Sequence, residues 1–215
     1  MRTGLPILKV CFPWPKKKPD RPANMTGWFA KPKQVLLAEV VPHDVKLLVE
    51  LGSWFGQSTR WFLKHCPKAT VIAVDTWLGS CEHIKKKRLL IPTLYETFLV
   101  NQWEWRNRLV PFRNTSLAAL NFIHALGLKP DVVYFDSDHS YWGLLAELET
   151  THELFPDATM VGDDYEDGNS VAKAVDGFCG YEAGDIVNTI GWELKELNHS
   201  WHIDKGKREC LLRGK

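Results

Sequence analysis

The sequence predicts an α/β doubly wound domain: five parallel strands, completed to seven by an antiparallel C-terminal pair, with helices on both faces. Three observations predict it. Apolar runs recur at 45–51, 69–75, 109–112, 131–136 and 158–162, and strands buried on both faces read as near-continuous apolar runs. Helical patterns alternate with these runs, the signature of parallel crossover units. The first run ends in a turn carrying Gly52 and Gly56, which lets a ligand approach the backbone at the start of a helix.

The elements follow in order. Residues 1–24 hold five prolines and the run Lys16-Lys17-Lys18, with little to pack, and read as a linker or a loosely draped arm. The domain proper is expected over 25–215. Gly27–Val41 patterns as a short amphipathic helix, followed by the first strand and its turn Ser53-Trp54-Phe55-Gly56. Ser58–His65 is the first crossover helix, stopped by Pro67, and Ala69–Asp75 is the second strand. A polar loop from Thr76 to Leu90 includes the basic run Lys85–Arg88, either a solvated segment or a contact for an anionic substrate. Thr93–Trp105 is helical, Leu109–Phe112 is a strand, and Leu117–Leu126 is a helix closed by Gly127. Asp131–Asp136, Tyr141–Leu154, Ala158–Gly162 and Ser170–Phe178 continue the strand-helix alternation. Strand-like runs between Asp185 and Leu212 supply the antiparallel pair.

Candidate chemistry collects at strand ends. Asp75 lies 23 residues beyond Gly52, where doubly wound folds place an acid on ribose hydroxyls; an ordinary strand-to-helix turn is the plain alternative, since Trp54 interrupts any G-x-G-x-x-G. The fourth strand delivers Asp136-Ser137-Asp138-His139 and the fifth Asp163-Asp164. Parallel neighbours bring their carboxyl ends to one edge, where Asp136, Asp163 and Asp164 would repel one another unless neutralised. A hard divalent cation with oxygen ligands is the simplest neutraliser; a helix cap at Asp138 and a solvated Asp164 are the structural alternative. His139 titrates near neutrality and could act as a general base beside such a cation, or simply cap or pack.

Composition narrows the classes. The formal net charge is +1, without the basic stripe a nucleic-acid partner needs. No apolar run is long enough to span a bilayer. Five scattered cysteines form no C-x-x-C pair, pointing to reduced thiols in a cytoplasmic setting rather than disulfides or zinc. Ten tryptophans are enough for some to line a groove as well as the core.

The stretches VELGSWFGQST, AVDTWLGSCEH, LYETFLVNQW, DVVYFDSDHSY and VGDDYEDGNSVAKAVDGF together resemble class I S-adenosylmethionine-dependent methyltransferases. Within these, the chain is similar to the metal-dependent sugar and small-molecule O-methyltransferases: macrolide deoxysugar enzymes, cephalosporin-hydroxylase-like proteins and, more distantly, catechol methyltransferases. The resemblance runs from about Leu47 to Phe178. It implies a Rossmann-like methyltransferase fold, S-adenosyl-L-methionine as methyl donor, Mg2+ or Mn2+ as metal, and a sugar or other small-molecule hydroxyl as acceptor. Some relatives are fused to or encoded beside glycosyltransferases, which agrees with a linker-like start.

The roles it implies are specific. Gly52, Ser53 and Gly56 would face the methionine moiety with Glu50 behind them, and Ser58 would bind its carboxylate. Trp54 would border the transferable methyl. Asp75 would hold the ribose, Trp77 would lie beside the adenine, and Ser116 would touch its edge. Asp136, which would border the cofactor as well, would join Asp163 and Asp164 as the metal triad. His139 matches the base of enzymes carrying D-x-x-H, with Asp138 the alternative base of D-x-D relatives. Catechol-type members use a lysine here instead, and none occurs between Pro130 and Lys173. The implied reaction methylates a deoxyhexose such as rhamnose in a glycan or glycoside. A catechol or polyketide acceptor, or an inactive binding module that kept the fold, are the other readings.

Overall fold

The structure is a computed structural model that describes residues 4–180, 192–197 and 200–205. The first crossover units comprise β1 (Leu47–Leu51), α3 (Gln57–His65), β2 (Thr70–Asp75), α4 (Cys81–Lys87), α5 (Leu94–Asn101) and β3 (Leu109–Arg113), preceded by α1 (Gly4–Cys11) and α2 (Lys31–Val40). The second half comprises α6 (Ser116–Ala125), β4 (Val132–Phe135), α7 (Tyr141–Leu154), β5 (Thr159–Gly162), α8 (Ser170–Cys179), β6 (Trp192–Leu197) and β7 (Ser200–Lys205). The seven strands form one sheet in the order β3-β2-β1-β4-β5-β7-β6. Strands β1 to β5 run parallel, and β7 is antiparallel to both β5 and β6. This is the expected fold. The expected tail strands at 185–191 and 206–212 lie outside the described residues.

Side-chain alternation along each strand sorts the core into two layers. Leu47, Val49, Leu51, Ile72, Val74, Val110, Phe112, Val133 and Phe135 join one cluster. Leu48, Val71, Ala73, Leu109, Val132 and Tyr134 join the other. Both faces are covered, and the central strand β1 is apolar at every position but one: Glu50, fully buried on the second face.

Several local features differ from expectation. Within the stretch expected as a linker or a loosely draped arm, Leu8, Phe12 and Trp14 pack on the sheet. Leu8 is fully buried and Phe12 stacks on Phe112 at 3.9 Å, both on the first face. Trp14 packs against the second face and donates from Nε1 to the Leu109 carbonyl at 2.8 Å. The arm therefore wraps around β3, an edge strand whose open rim it helps to cover. Part of the expected 76–90 loop is the short helix α4, and the expected 93–105 helix is α5 flanked by two single 3₁₀ turns at Ile91–Thr93 and Trp103–Trp105. Cys11, Cys66 and Cys179 are free thiols. Among the described residues no helix is long and apolar enough to cross a membrane.

Candidate active site

The strand order reverses between β1 and β4, so the loops leaving them diverge and open a crevice at their carboxyl ends. At the exit of β1, Gly52 takes φ +86°, and a Cβ there would collide with the Asp136 carbonyl. Only glycine combines that torsion with so close a backbone approach. Trp54 is also left-handed, at φ +46°, a strained state for a bulky residue. The turn is held by Asp75, whose Oδ2 accepts from the Ser53 and Trp54 amides at 3.0 and 2.8 Å and whose Oδ1 accepts from the Trp77 amide at 2.6 Å. Gly56, at φ +85°, caps α3, and its carbonyl accepts from Gln102 Nε2 at 2.9 Å.

Glu50 lies beneath this turn. Its Oε2 accepts from Ser53 Oγ at 2.8 Å and from Thr59 Oγ1, while Oε1 has no hydrogen-bond partner. Burial pushes its carboxyl up to about 7, opposed by the nearby Ser58, Thr59 and Ser53 hydroxyls. Tyr134, its neighbour in register on β4, is also buried with an unpartnered hydroxyl. A buried acid with a vacant acceptor atom beside a glycine turn suits a cationic amine, and the methionine end of S-adenosylmethionine carries one. Ser58 is buried beside Glu50. Trp77 is 1% exposed, wedged between Tyr95 and Phe98, and donates from Nε1 to the Trp54 carbonyl at 2.9 Å. It braces the turn from within the core.

The second half of the site stands at the ends of β4 and β5. His139 Nε2 lies 3.1 Å from Asp164 Oδ2 and 3.8 Å from Asp136 Oδ1. Ligand atoms of Asp136, His139 and Asp164 all fall within 4.8 Å of one another, close enough for a single cation. Desolvation, with repulsion from Asp163 and Asp164, pushes the Asp136 carboxyl up to about 7, although 29% of its side chain still meets solvent. Asp136, Asp164 and Asp138 hold the proton on His139, chiefly through its contact with Asp136, and raise it to about 9 against the opposing effect of burial. Asp164 adopts φ +61°, a left-handed torsion that aims its carboxylate into the group at a cost in backbone strain. Two carboxylate oxygens with excess negative charge around them fit a divalent metal, and the imidazole of His139 stands beside them.

Asp163 stands apart from that cluster. Its Oδ2 forms an ion pair with Lys33 on α2, and Ser200 Oγ approaches its Oδ1 at 3.4 Å. Of the expected triad, Asp136 and Asp164 lie together with His139, and Asp163 faces Lys33. Asp138 behaves as a cap: its Oδ1 accepts from the Ser140 amide at 2.8 Å at the start of α7. Ser116 turns toward the buried Glu147, which also accepts from Ser137 Oγ at 2.7 and 2.8 Å. Lys33, Glu147, Thr59 and Gln102 were not legible as site residues. Each acts through a partner distant in sequence or hidden in a helix.

A doubly wound sheet with a glycine turn after β1, an acid after β2 and an acid-histidine cluster after β4 and β5 defines a class I S-adenosylmethionine-dependent methyltransferase. A family model described as a methyltransferase domain matches residues 49–165, and the chain belongs to that family. No match is found among curated proteins. Among solved structures, the chain is similar to an O-methyltransferase from Bacillus cereus in complex with S-adenosylhomocysteine, at 15% identity and TM-score 0.51, over 94% of this chain and 89% of that one. It is similar to TomG of Streptomyces achromogenes, an O-methyltransferase of tomaymycin synthesis in complex with S-adenosylmethionine, at 15% identity and TM-score 0.53, over 70% and 67%. It is equally similar in shape to a candidate rRNA methylase from Clostridium thermocellum, at 11% identity and TM-score 0.54, over 82% and 97%. Similarity at this level defines the fold and leaves the acceptor to be argued from the site.

Proposed function

We propose that the protein is a divalent-metal-dependent O-methyltransferase that methylates a hydroxyl of a sugar, a deoxyhexose such as rhamnose in a glycan or glycoside. The observation that carries this reading is the convergence of Asp136, His139 and Asp164 directly beside the Gly52 turn. When bound, S-adenosylmethionine supplies the methyl on an electrophilic sulfonium, and Mg2+ or Mn2+ supplies the charge that lowers the acceptor hydroxyl's pKa. The chain's own residues do the rest. Glu50 receives the donor's amine, and Gly52 to Gly56 hold its methionine end against the backbone. Asp136 and Asp164 are the carboxylates that would hold the metal. His139 accepts the acceptor proton at Nε2. With Asp136 and Asp164 neutralised, it loses the attraction that raises it to about 9 and falls back toward neutrality, where a general base works best.

Two features support a sugar over a catechol. The lysine that reaches the site, Lys33, is tied to Asp163 rather than offered to an acceptor. Trp142, in the first turn of α7 beside His139, is 76% exposed, a flat apolar plate of the kind that stacks on a sugar ring. The formal net charge of +1 offers no footprint for a nucleic acid.

Labelled methyl transfer to rhamnosides, other glycosides and catechols tests the reading. Transfer to a glycoside should need Mg2+ or Mn2+ and stop in excess chelator. His139→Ala should lower turnover at least about 100-fold while S-adenosylmethionine still binds. Full activity in chelator, or transfer confined to catechols, would overturn it.

A further inference from the structure

We propose that the cavity between α4 and α5, on the second face of the sheet, binds a small aromatic phosphate at a site separate from those of the methyl donor and the acceptor. The inference goes beyond the methyl-transfer reading and does not depend on the metal. The cavity holds about 480 Å3, inside the roughly 300–1,000 Å3 of small-molecule pockets. Trp77 and Tyr95 supply its flat aromatic wall, and Leu78 and Ile84 line it while leaving 58% and 48% of their surface exposed. A mostly apolar wall with a few fixed charges is how small-molecule sites are built. The expected donor site lies on the other face. Its adenine edge is expected at Ser116, which heads α6 and bonds to Glu147, and α6 packs on the first face through Ala119, Leu120 and Ile123. Trp77 closes the cavity toward the donor turn, donating from Nε1 to the Trp54 carbonyl.

The charges select the ligand. Arg88, the last residue of the basic run at 85–88, lines the cavity together with Arg113. Arg113 closes β3 and is held in place: its Nε donates to the Thr76 carbonyl at 3.2 Å, and its guanidinium lies over the Tyr95 ring at 5.3 Å. Among the described residues, neither Arg88 nor Arg113 has an acid partner. Glu96, the acid in the wall, is paired instead with Arg21 of the arm. Two cations without a counter-charge beside an aromatic wall match one phosphate dianion carried on a flat ring. The planar guanidinium fork takes phosphate oxygens in pairs, and the ring would lie against Tyr95 and the edge of Trp77.

The experiment is calorimetry of 1-naphthyl phosphate binding to the full chain, in chelator, with and without saturating S-adenosylhomocysteine. Chelator keeps any cation site out of the reading. The wild type should bind 1-naphthyl phosphate equally in both conditions. It should bind 1-naphthol and inorganic phosphate at least about tenfold more weakly, since hydrogen bonds to a charged group are worth at least that factor. Arg88→Gln and Arg113→Gln should each weaken 1-naphthyl phosphate at least about tenfold and leave the Kd of S-adenosylhomocysteine unchanged. Arg88 sits at an exposed position, so Arg88→Gln should keep the wild-type thermal midpoint and carry the test even if Arg113→Gln melts early. Adenosine 5′-monophosphate binding as tightly as 1-naphthyl phosphate would mark the natural ligand as a nucleotide; binding of the aryl ester alone would mark it as a smaller aromatic phosphate. No binding at millimolar concentration, equal binding of 1-naphthol, or an affinity untouched by both substitutions would overturn the proposal. Displacement by S-adenosylhomocysteine would overturn it too, because the cavity would then belong to the donor.

Discussion

Replacing Glu50 by glutamine should stabilise the unliganded protein and weaken its hold on the methyl donor. Burial raises the Glu50 carboxyl from its ordinary 4.5 to about 7, so holding it ionised inside the sheet costs about 3 kcal/mol. The folded state binds this proton more tightly than the unfolded chain. The stability it contributes is fully present below about pH 4.5 and is lost as pH rises through about 7. Glutamine has the same shape and no charge. Its carbonyl oxygen can keep the hydrogen bonds that Ser53 and Thr59 now give to Oε2.

Urea unfolding of both proteins from pH 5 to pH 8 isolates this group, because every other titration is common to the two curves. The stability gap, variant minus wild type, should widen by about 2.5 kcal/mol between pH 5 and pH 8 and level off above that. Calorimetry should show S-adenosylmethionine binding weakened about tenfold or more, since a hydrogen bond to a charged partner contributes about 1.5–3 kcal/mol. A gap that stays constant with pH would refute the argument that Glu50 is held as a costly buried ion. Unchanged donor affinity would refute its assignment to the amine.

Other perturbations test the remaining joints. Gly52→Ala forces a Cβ into the Asp136 carbonyl at a left-handed torsion; it should destabilise by at least about 2 kcal/mol and abolish donor binding, both visible in thermal melts with and without S-adenosylmethionine. Leu8→Ala, at a fully buried position, should cost about 2–4 kcal/mol in urea unfolding; a cost near zero would mean that the arm does not dock. Trp142→Ala should raise KM for a glycoside acceptor several-fold and leave the Kd of S-adenosylmethionine unchanged, if its exposed ring stacks on the sugar as proposed.

How much of this was readable before the structure depends on where each signal resides. The central strands were legible because burial on both faces writes near-continuous apolar runs at β1, β2 and β4. Asp136 and Asp164 were legible because a parallel sheet sends its strand ends to one edge. The docking of residues 4–24 was not. Leu8, Phe12 and Trp14 fill separate slots around β3 and share no period. The helix α4 was missed because seven residues with three lysines carry no apolar stripe. The pairing of Asp163 with Lys33 could not be read either, because an ion pair spanning 130 residues leaves no spacing to detect.

Both halves of the site hang on one backbone contact. Gly52 touches the carbonyl of Asp136, so the turn that would seat the donor and the acid that would seat the cation are in register without any intervening side chain. The separation of the two backbones is therefore fixed by peptide geometry. Behind Asp136, Ser137 and Ser116 both bond to Glu147, which fastens the β4 loop to α7 and to the start of α6. On the other side, Lys33 and Ser200 hold Asp163, and Asp164 is left to turn inward through its left-handed torsion. Transfer between two bound partners gains most when their reacting atoms are already placed. Here that placement is built from backbone contacts and buried pairs, and the exposed groups, His139 and Trp142, are the ones free to meet the acceptor.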